Sequence, residues 1–86
     1  STTSQHSKGE AIDIDMDGRP GPNNTEVFEY IKDNLPFDQL IWEFGNDEKP
    51  DWVHVSYNAN GNQRGQILRA KRNSARRTYY ELWNKQ

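Results

Sequence analysis

Two histidines and one aspartate are the side chains of this sequence that suit joint binding of a transition metal. His6 and Asp13 are seven residues apart, and Gly9 between them permits a turn that brings both side chains toward one point. Zinc with a catalytic role usually takes three protein ligands and one water, and the only other histidine is His54. The three residues form a candidate zinc site. From spacing alone, a solvated His6 and an ordinary strand histidine at position 54 remain the simpler alternative.

The same stretch resembles the start of a calcium loop. Three aspartates and a glycine match loop positions 1, 3, 5 and 6 of an EF-hand: Asp13, Asp15, Asp17 and Gly18. Position 12, which needs a bidentate Glu, is Asn24. Calcium is therefore disfavoured. Asp15 and Asp17 are also expected to be dispensable for zinc, because they lie two and four residues along the chain from Asp13.

The apolar pattern of the first half predicts one strand and one helix. Residues 11–17 alternate strictly, which predicts a half-buried strand with the aspartates on one face. Asn24 or Thr25 is expected to cap a helix that runs to about Asn34, since Pro36 prevents its continuation. The apolar face of this helix should consist of Val27, Phe28, Ile31 and Leu35.

The second half predicts more strands. Residues 37–44 and 51–57 read as a hairpin, and residues 66–72 as a further strand. Alternation in the second hairpin strand places Trp52, His54 and Ser56 on one face and Val53, Val55 and Tyr57 on the other. Residues 74–86 have weak helical character. The expected fold is α+β, a small antiparallel sheet with one or two helices on one face and the zinc site on the sheet.

Composition limits the possible functions. A chain of 86 residues without cysteine forms one small domain and excludes disulfides and thiolate metal sites, while its ten aromatic residues argue for a folded core. No apolar run approaches the roughly 20 residues of a membrane helix. Residues 1–63 hold twelve acidic and four basic residues, whereas residues 64–77 hold six basic and none acidic. A solvated face explains this basic run more simply than nucleic-acid binding.

Two segments resemble the zinc D-Ala-D-Ala carboxypeptidase family, which includes bacterial dipeptidases of vancomycin resistance and phage endolysin peptidases. The stretch "SQHSKGEAID" fits the S-x-H-x-x-G-x-A-x-D signature of that family at every fixed position. The segment "FDQLIWEFG...PDWVHVSY" is similar to the second motif, an acidic residue three positions before a final histidine on a strand. The resemblance covers residues 1 to about 72.

The resemblance implies specific roles for the matching residues. His6, Asp13 and His54 would bind zinc, and Asp51 would be the general base, with Glu43 the next candidate. Ser4 would lie near the substrate carboxylate or the zinc. Apart from the resemblance, Trp52 and Trp42 are candidates for the walls of the cleft, although an aromatic residue on a strand more often belongs to the core. Asp51 lies three residues before His54, about 10 Å of extended backbone. Its side chain therefore reaches the site only if the chain bends between Pro50 and Trp52.

The expected function is that of a zinc peptidase which hydrolyses the peptide stems of peptidoglycan, as a D,D-carboxypeptidase or an endopeptidase, and so acts on the bacterial cell wall. The alternative is a non-catalytic, zinc-stabilised module that binds the wall or another protein. Residues 1–72 would form the catalytic domain and residues 73–86 a C-terminal extension. Peptidoglycan is the expected partner; a membrane is not, and nucleic acid is disfavoured.

Members of the family carry a further segment before the first motif, with an arginine that is thought to stabilise the substrate or transition state. The 86 residues start after that point. We expect that the segment lies outside this sequence, that another chain supplies it, or that the protein does without it.

Overall fold

The computed structural model describes residues 10–83, which form one α-helix and five β-strands. In chain order the elements are β1 (Glu10–Ile14), α1 (Asn24–Asn34), β2 (Gln39–Glu43), β3 (Trp52–Tyr57), β4 (Gln66–Arg72) and β5 (Thr78–Leu82). Ser4 and His6 of the first motif lie outside the described residues. In the described part of the chain, no helix is long and apolar enough to cross a bilayer.

All five strands belong to one sheet in the order β1-β3-β2-β4-β5. The β1–β3, β2–β3 and β4–β5 pairs are antiparallel, and the β2–β4 pair is parallel. The predicted α+β class and the predicted β2–β3 hairpin are confirmed, with a sheet that is mixed because β4 returns alongside β2. Since β1 and β2 both pair with β3, β3 lies between them, and its register places Asp13 directly opposite His54.

The N-cap of helix α1 lies one residue before the first of the two predicted caps. Asn23 is the N-cap, and with Glu26 it forms a capping box in which each side chain accepts a hydrogen bond from the backbone of the other. The helix ends at Asn34, in agreement with the break expected at Pro36. Phe28 and Ile31 are buried, but Leu35 is the C-cap residue and is 47% exposed, so its assignment to the apolar face was wrong.

The core lies between α1 and one face of the sheet. Its buried members are Phe28, Ile31, Phe37, Leu40, Trp42 and Val53. The centroid of the Phe28 ring lies 5.0 Å from that of Trp42, in an edge-on arrangement, and 5.1 Å from that of Trp83. Trp42 is 3% exposed and belongs to this core, so it does not wall the opposite face of the sheet.

The C-terminal region forms a strand where weak helical character was expected. Thr78–Leu82 pairs with β4, and Glu81 forms an ion pair with Lys71 at 2.8 Å. Threonine and tyrosine favour strands, and alternate residues here take opposite faces, which is the strand pattern that the helical interpretation missed. Residues 78–83 thus share the sheet and, through Trp83, the core with residues 10–72.

The buried side-chain amide of Asn24 joins three parts of the chain through hydrogen bonds. The side chain of Asn24 is fully buried, and its Oδ1 accepts a hydrogen bond from the Met16 backbone N–H at 2.7 Å. Its Nδ2 donates to the carbonyl oxygen of Asp51 at 2.9 Å and to the carboxylate of Asp15 at 3.1 Å. The segment after β1, the start of α1 and the entry to β3 are therefore held together by one side chain.

A bidentate ion pair fastens the β3–β4 connection to the start of β2. Arg64 donates from Nε to Asp38 Oδ1 at 2.9 Å and from Nη2 to Asp38 Oδ2 at 2.8 Å. These hydrogen bonds from the guanidinium hold the pKa of Asp38 down at about 2, below its usual 3.8.

Replacement of Asn24 by alanine is expected to lower the free energy of unfolding by about 2 to 3 kcal/mol, because buried backbone groups lose their partners. Asn34→Ala is the matched control, since that exposed amide only donates to the carbonyl of Tyr30, and it should cost less than about 0.5 kcal/mol. Urea unfolding of the two variants measures the difference. Equal losses would show that the buried amide has no special role.

The Asp38–Arg64 pair predicts a pH dependence of stability. Because the pKa of Asp38 is lowered in the folded state, its contribution is fully present above about pH 4 and is lost as the pH falls toward 2. Asp38→Asn should therefore flatten the acid limb of a plot of unfolding free energy against pH. The control Asp33→Asn removes an exposed carboxylate that pairs with the neighbouring Lys32, and it should keep the wild-type slope.

Candidate functional site

Asp13 and His54 face each other on neighbouring strands. Asp13 is on β1 and His54 is opposite it on β3, with Asp13 Oδ1 2.9 Å from His54 Nδ1. Asp13 is largely exposed, whereas the side chain of His54 is 27% exposed. Leu40, Trp42 and Val53 face α1, so alternation turns His54 and its cross-strand partners to the opposite face of the sheet. We call this the site face.

Glu43 is a buried carboxylate on the site face. It ends β2 opposite Trp52 and is 8% exposed. Burial raises the pKa of Glu43, the charge of Asp13 adds to this rise, and the charges of His54 and Arg72 oppose it. Within residues 10–83 its carboxylate accepts no hydrogen bond. Because the Glu43 carboxylate lines the cavity on this face, it can accept a hydrogen bond from a ligand there.

The chain reverses after β2 through two residues in the left-handed region. Phe44 has φ 57° and Gly45 has φ 70°, and a Cβ on Gly45 would collide with the carbonyl oxygen of Lys49. Phe44 adopts an uncommon conformation for its residue type, and its ring packs edge-on against Trp52 at 5.4 Å. The guanidinium of Arg72 lies 3.9 Å from the centre of the same ring. These contacts fix the position of Trp52 beside Glu43.

Asp51 lies at a bend directly before β3, which begins at Trp52. Its backbone N–H donates to the carbonyl of Glu43 at 2.9 Å, and its own carbonyl accepts from Asn24. The carboxylate is exposed and lines a cavity together with Phe44, Gly45 and Arg72. The bend that the general-base assignment requires is present. The Asp51 carboxylate and the Asp13–His54 pair nevertheless line two different cavities.

The cavity on the site face has a volume of about 460 Å³. Its lining includes Asp13, His54, Glu43 and Trp52 on the β1–β3–β2 side, and the remaining members are Gln39, Ile41, Leu68 and Tyr80. Glu43 was only a reserve candidate from the sequence, and Tyr80 was missed. The alternation of Thr78, Tyr80 and Leu82 was the available signal for Tyr80, but it was read as helical.

The two aspartates that follow Asp13 in the calcium-loop pattern have partners away from the site face. Asp15 accepts hydrogen bonds from Asn24 and from the Asp17 backbone, and these lower its pKa. Asp17 pairs with Lys49 at 3.0 Å. Among residues 10–83, no group of three or more His, Cys, Asp or Glu side chains is placed to hold a metal. Asp13 and His54, two of the three expected zinc ligands, lie together, while the expected third, His6, lies outside the described residues.

No known protein family, curated protein or solved structure gives a significant match to the chain.

Proposed function

We propose that this chain is a zinc-dependent peptidase that hydrolyses the peptide stems of bacterial peptidoglycan. The observation that carries the proposal is the convergence of the Asp13 carboxylate and the His54 imidazole at 2.9 Å, beside a buried carboxylate in one cavity. Residues 41 positions apart in sequence meet there at facing positions of two strands. The two motif segments supply these residues, which supports the family resemblance independently of the spacing between them.

The donor types suit a zinc ion. Zinc binds carboxylate oxygen and imidazole nitrogen at about 2.0 to 2.2 Å, so two such ligands at a tetrahedral angle lie about 3.3 to 3.6 Å apart. Asp13 Oδ1 and His54 Nδ1 are 2.9 Å apart, the distance of a hydrogen bond, so the two side chains would separate by roughly 0.5 Å to hold the ion. The first motif adds His6 as the third ligand, which completes the usual number for a catalytic site.

Different residues of the chain would have separate roles in hydrolysis. When bound, zinc supplies Lewis-acid chemistry, which acidifies a water molecule and polarises the scissile carbonyl. Asp13, His54 and, by the resemblance, His6 would hold the ion. The resemblance assigns proton transfer to Asp51, whose carboxylate lines the neighbouring cavity and would accept the proton of the attacking water and pass it to the leaving amine. Trp52, held by Phe44, forms one wall of the cleft. By the resemblance, Ser4 would lie near the substrate carboxylate or the zinc site.

Protein purified without chelator should contain one zinc per chain and should release peptide fragments from purified peptidoglycan, as detected by mass spectrometry. His54→Ala should lose both the metal and the hydrolysis. Asp17→Asn is the control, because its exposed carboxylate pairs with Lys49, and it should keep both. Absence of zinc, or full activity of the His54 variant, would refute the proposal. Zinc with wall binding but no released fragments would instead indicate a non-catalytic binding module.

Asp51→Asn should keep zinc and fold while hydrolysis falls about 10²- to 10⁴-fold, because the substitution keeps the shape but removes the proton acceptor. Glu43→Gln is the parallel variant, since Glu43 is the carboxylate that lines the Asp13–His54 cavity, and it should lose less than about tenfold. The ratio of the two rates, with zinc content measured for each, tests the assignment. The reverse ranking would give the role of base to Glu43, and zinc loss in Asp51→Asn would make Asp51 a ligand.

A further inference from the structure

The site face is organised in two rows of side chains that run across the strands. Cross-strand pairing puts one row over β1, β3, β2, β4 and β5 in that order: Asp13, His54, Ile41, Leu68 and Leu82. The neighbouring row runs over β3, β2, β4 and β5: Trp52, Glu43, Ala70 and Tyr80. Most members of both rows line the cavity of this face. The cavity therefore runs perpendicular to the strands.

The two ends of this cavity differ in chemistry. At the β1–β3–β2 end are the ionisable groups, Asp13, His54 and Glu43. Toward β4 and β5 the lining is Leu68 in one row and the ring of Tyr80 in the other, with Ile41 of β2, which is 6% exposed, between the two ends. A ligand that fills the cavity would place its reacting group at the first end and contact Leu68 and Tyr80 at the other.

The span of the cavity sets the length of that ligand. From β3 to β5 there are three strand spacings of 4.7–4.9 Å, or about 14 Å in all, and an extended peptide covers this distance with about four residues. A volume of about 460 Å³ is within the range of ligand sites. A dipeptide placed at His54 would leave the β5 end empty.

We propose that this cavity is an extended subsite for a peptide of at least four residues, and that Tyr80 binds the residue at the end distant from the scissile bond. The inference rests on the proposed peptidase function and adds to it a preference for long stem peptides over dipeptides. Tyr80 suits this role because its ring is 55% exposed on an edge strand and offers apolar area with little loss of side-chain freedom. A strand outside the two sequence motifs thus determines specificity.

The chain contains a matched control for this proposal. Tyr79 precedes Tyr80 on the same edge strand, is 42% exposed, and by alternation points to the other face of the sheet. Tyr79→Ala and Tyr80→Ala remove the same atoms from the same strand. Only the second removes them from the cavity.

The probes are the pentapeptide stem L-Ala-γ-D-Glu-L-Lys-D-Ala-D-Ala and the dipeptide fragment that contains the bond cleaved in it. In the wild type and in Tyr79→Ala, kcat/KM for the pentapeptide should be at least about tenfold higher than kcat/KM for the dipeptide, because one good aromatic contact usually contributes an effect of this size. Tyr80→Ala should lose this advantage through a higher KM and keep the wild-type rate on the dipeptide. The subsite would be refuted if the ratio of kcat/KM for the pentapeptide to that for the dipeptide were equal in all three proteins. It would also be refuted if the two variants lost this preference to the same extent.

Binding of the pentapeptide, measured on zinc-free protein by calorimetry and by shifts of the Trp52 indole NMR signal, separates this proposal from the peptidase function. Weaker binding to Tyr80→Ala than to Tyr79→Ala supports the subsite even if no peptide is hydrolysed. Hydrolysis by the wild type with equal binding to both variants refutes the subsite and leaves the peptidase function standing. Absence of pentapeptide binding by the wild type also refutes the subsite.

Discussion

The buried amide of Asn24 is the constraint on which the arrangement of the site depends. It lies at the first turn of α1, yet all its hydrogen bonds are to other parts of the chain, the residues after β1 and the loop before β3. A fully buried amide is costly unless its donors and its acceptor are all used. Satisfying Asn24 therefore requires that both segments come to it. The ends of the two strands that carry Asp13 and His54 are fixed in this way.

Alternate residues of the central strands β2 and β3 face the core and the site cavity. On β2, Leu40 and Trp42 pack against α1, while Ile41 and Glu43 face the site cavity. On β3, Val53 belongs to the core and His54 to the site. A shift of one residue in the register would exchange these roles and bury His54 beneath the helix. The hydrophobic core thus indirectly specifies the geometry of the polar cluster on the other face.

The reversal after β2 couples the two carboxylates that are candidates for proton transfer. The left-handed residues Phe44 and Gly45 turn the chain sharply enough for the Asp51 N–H to reach the carbonyl of Glu43. An uncommon backbone conformation at a non-glycine residue costs energy and persists only where its surroundings stabilise it. Here the ring of Phe44 gains contacts with Trp52 and Arg72. The same turn consequently positions Glu43, Asp51 and Trp52.

The sequence by itself determined the local elements and the candidate residues. Strict alternation identified β1 and β3, and Pro36 predicted the end of α1, because these signals depend on near neighbours along the chain. The resemblance of two short segments selected Asp13 and His54, which spacing alone did not. Only the tertiary structure decided that β4 lies parallel to β2, that Glu43 is buried beside His54, and that β5 contributes Tyr80 to the site face. Weak local preference left residues 78–82 ambiguous, and pairing with β4 made them a strand. Burial and strand pairing depend on residues distant in sequence, so no local pattern contains them.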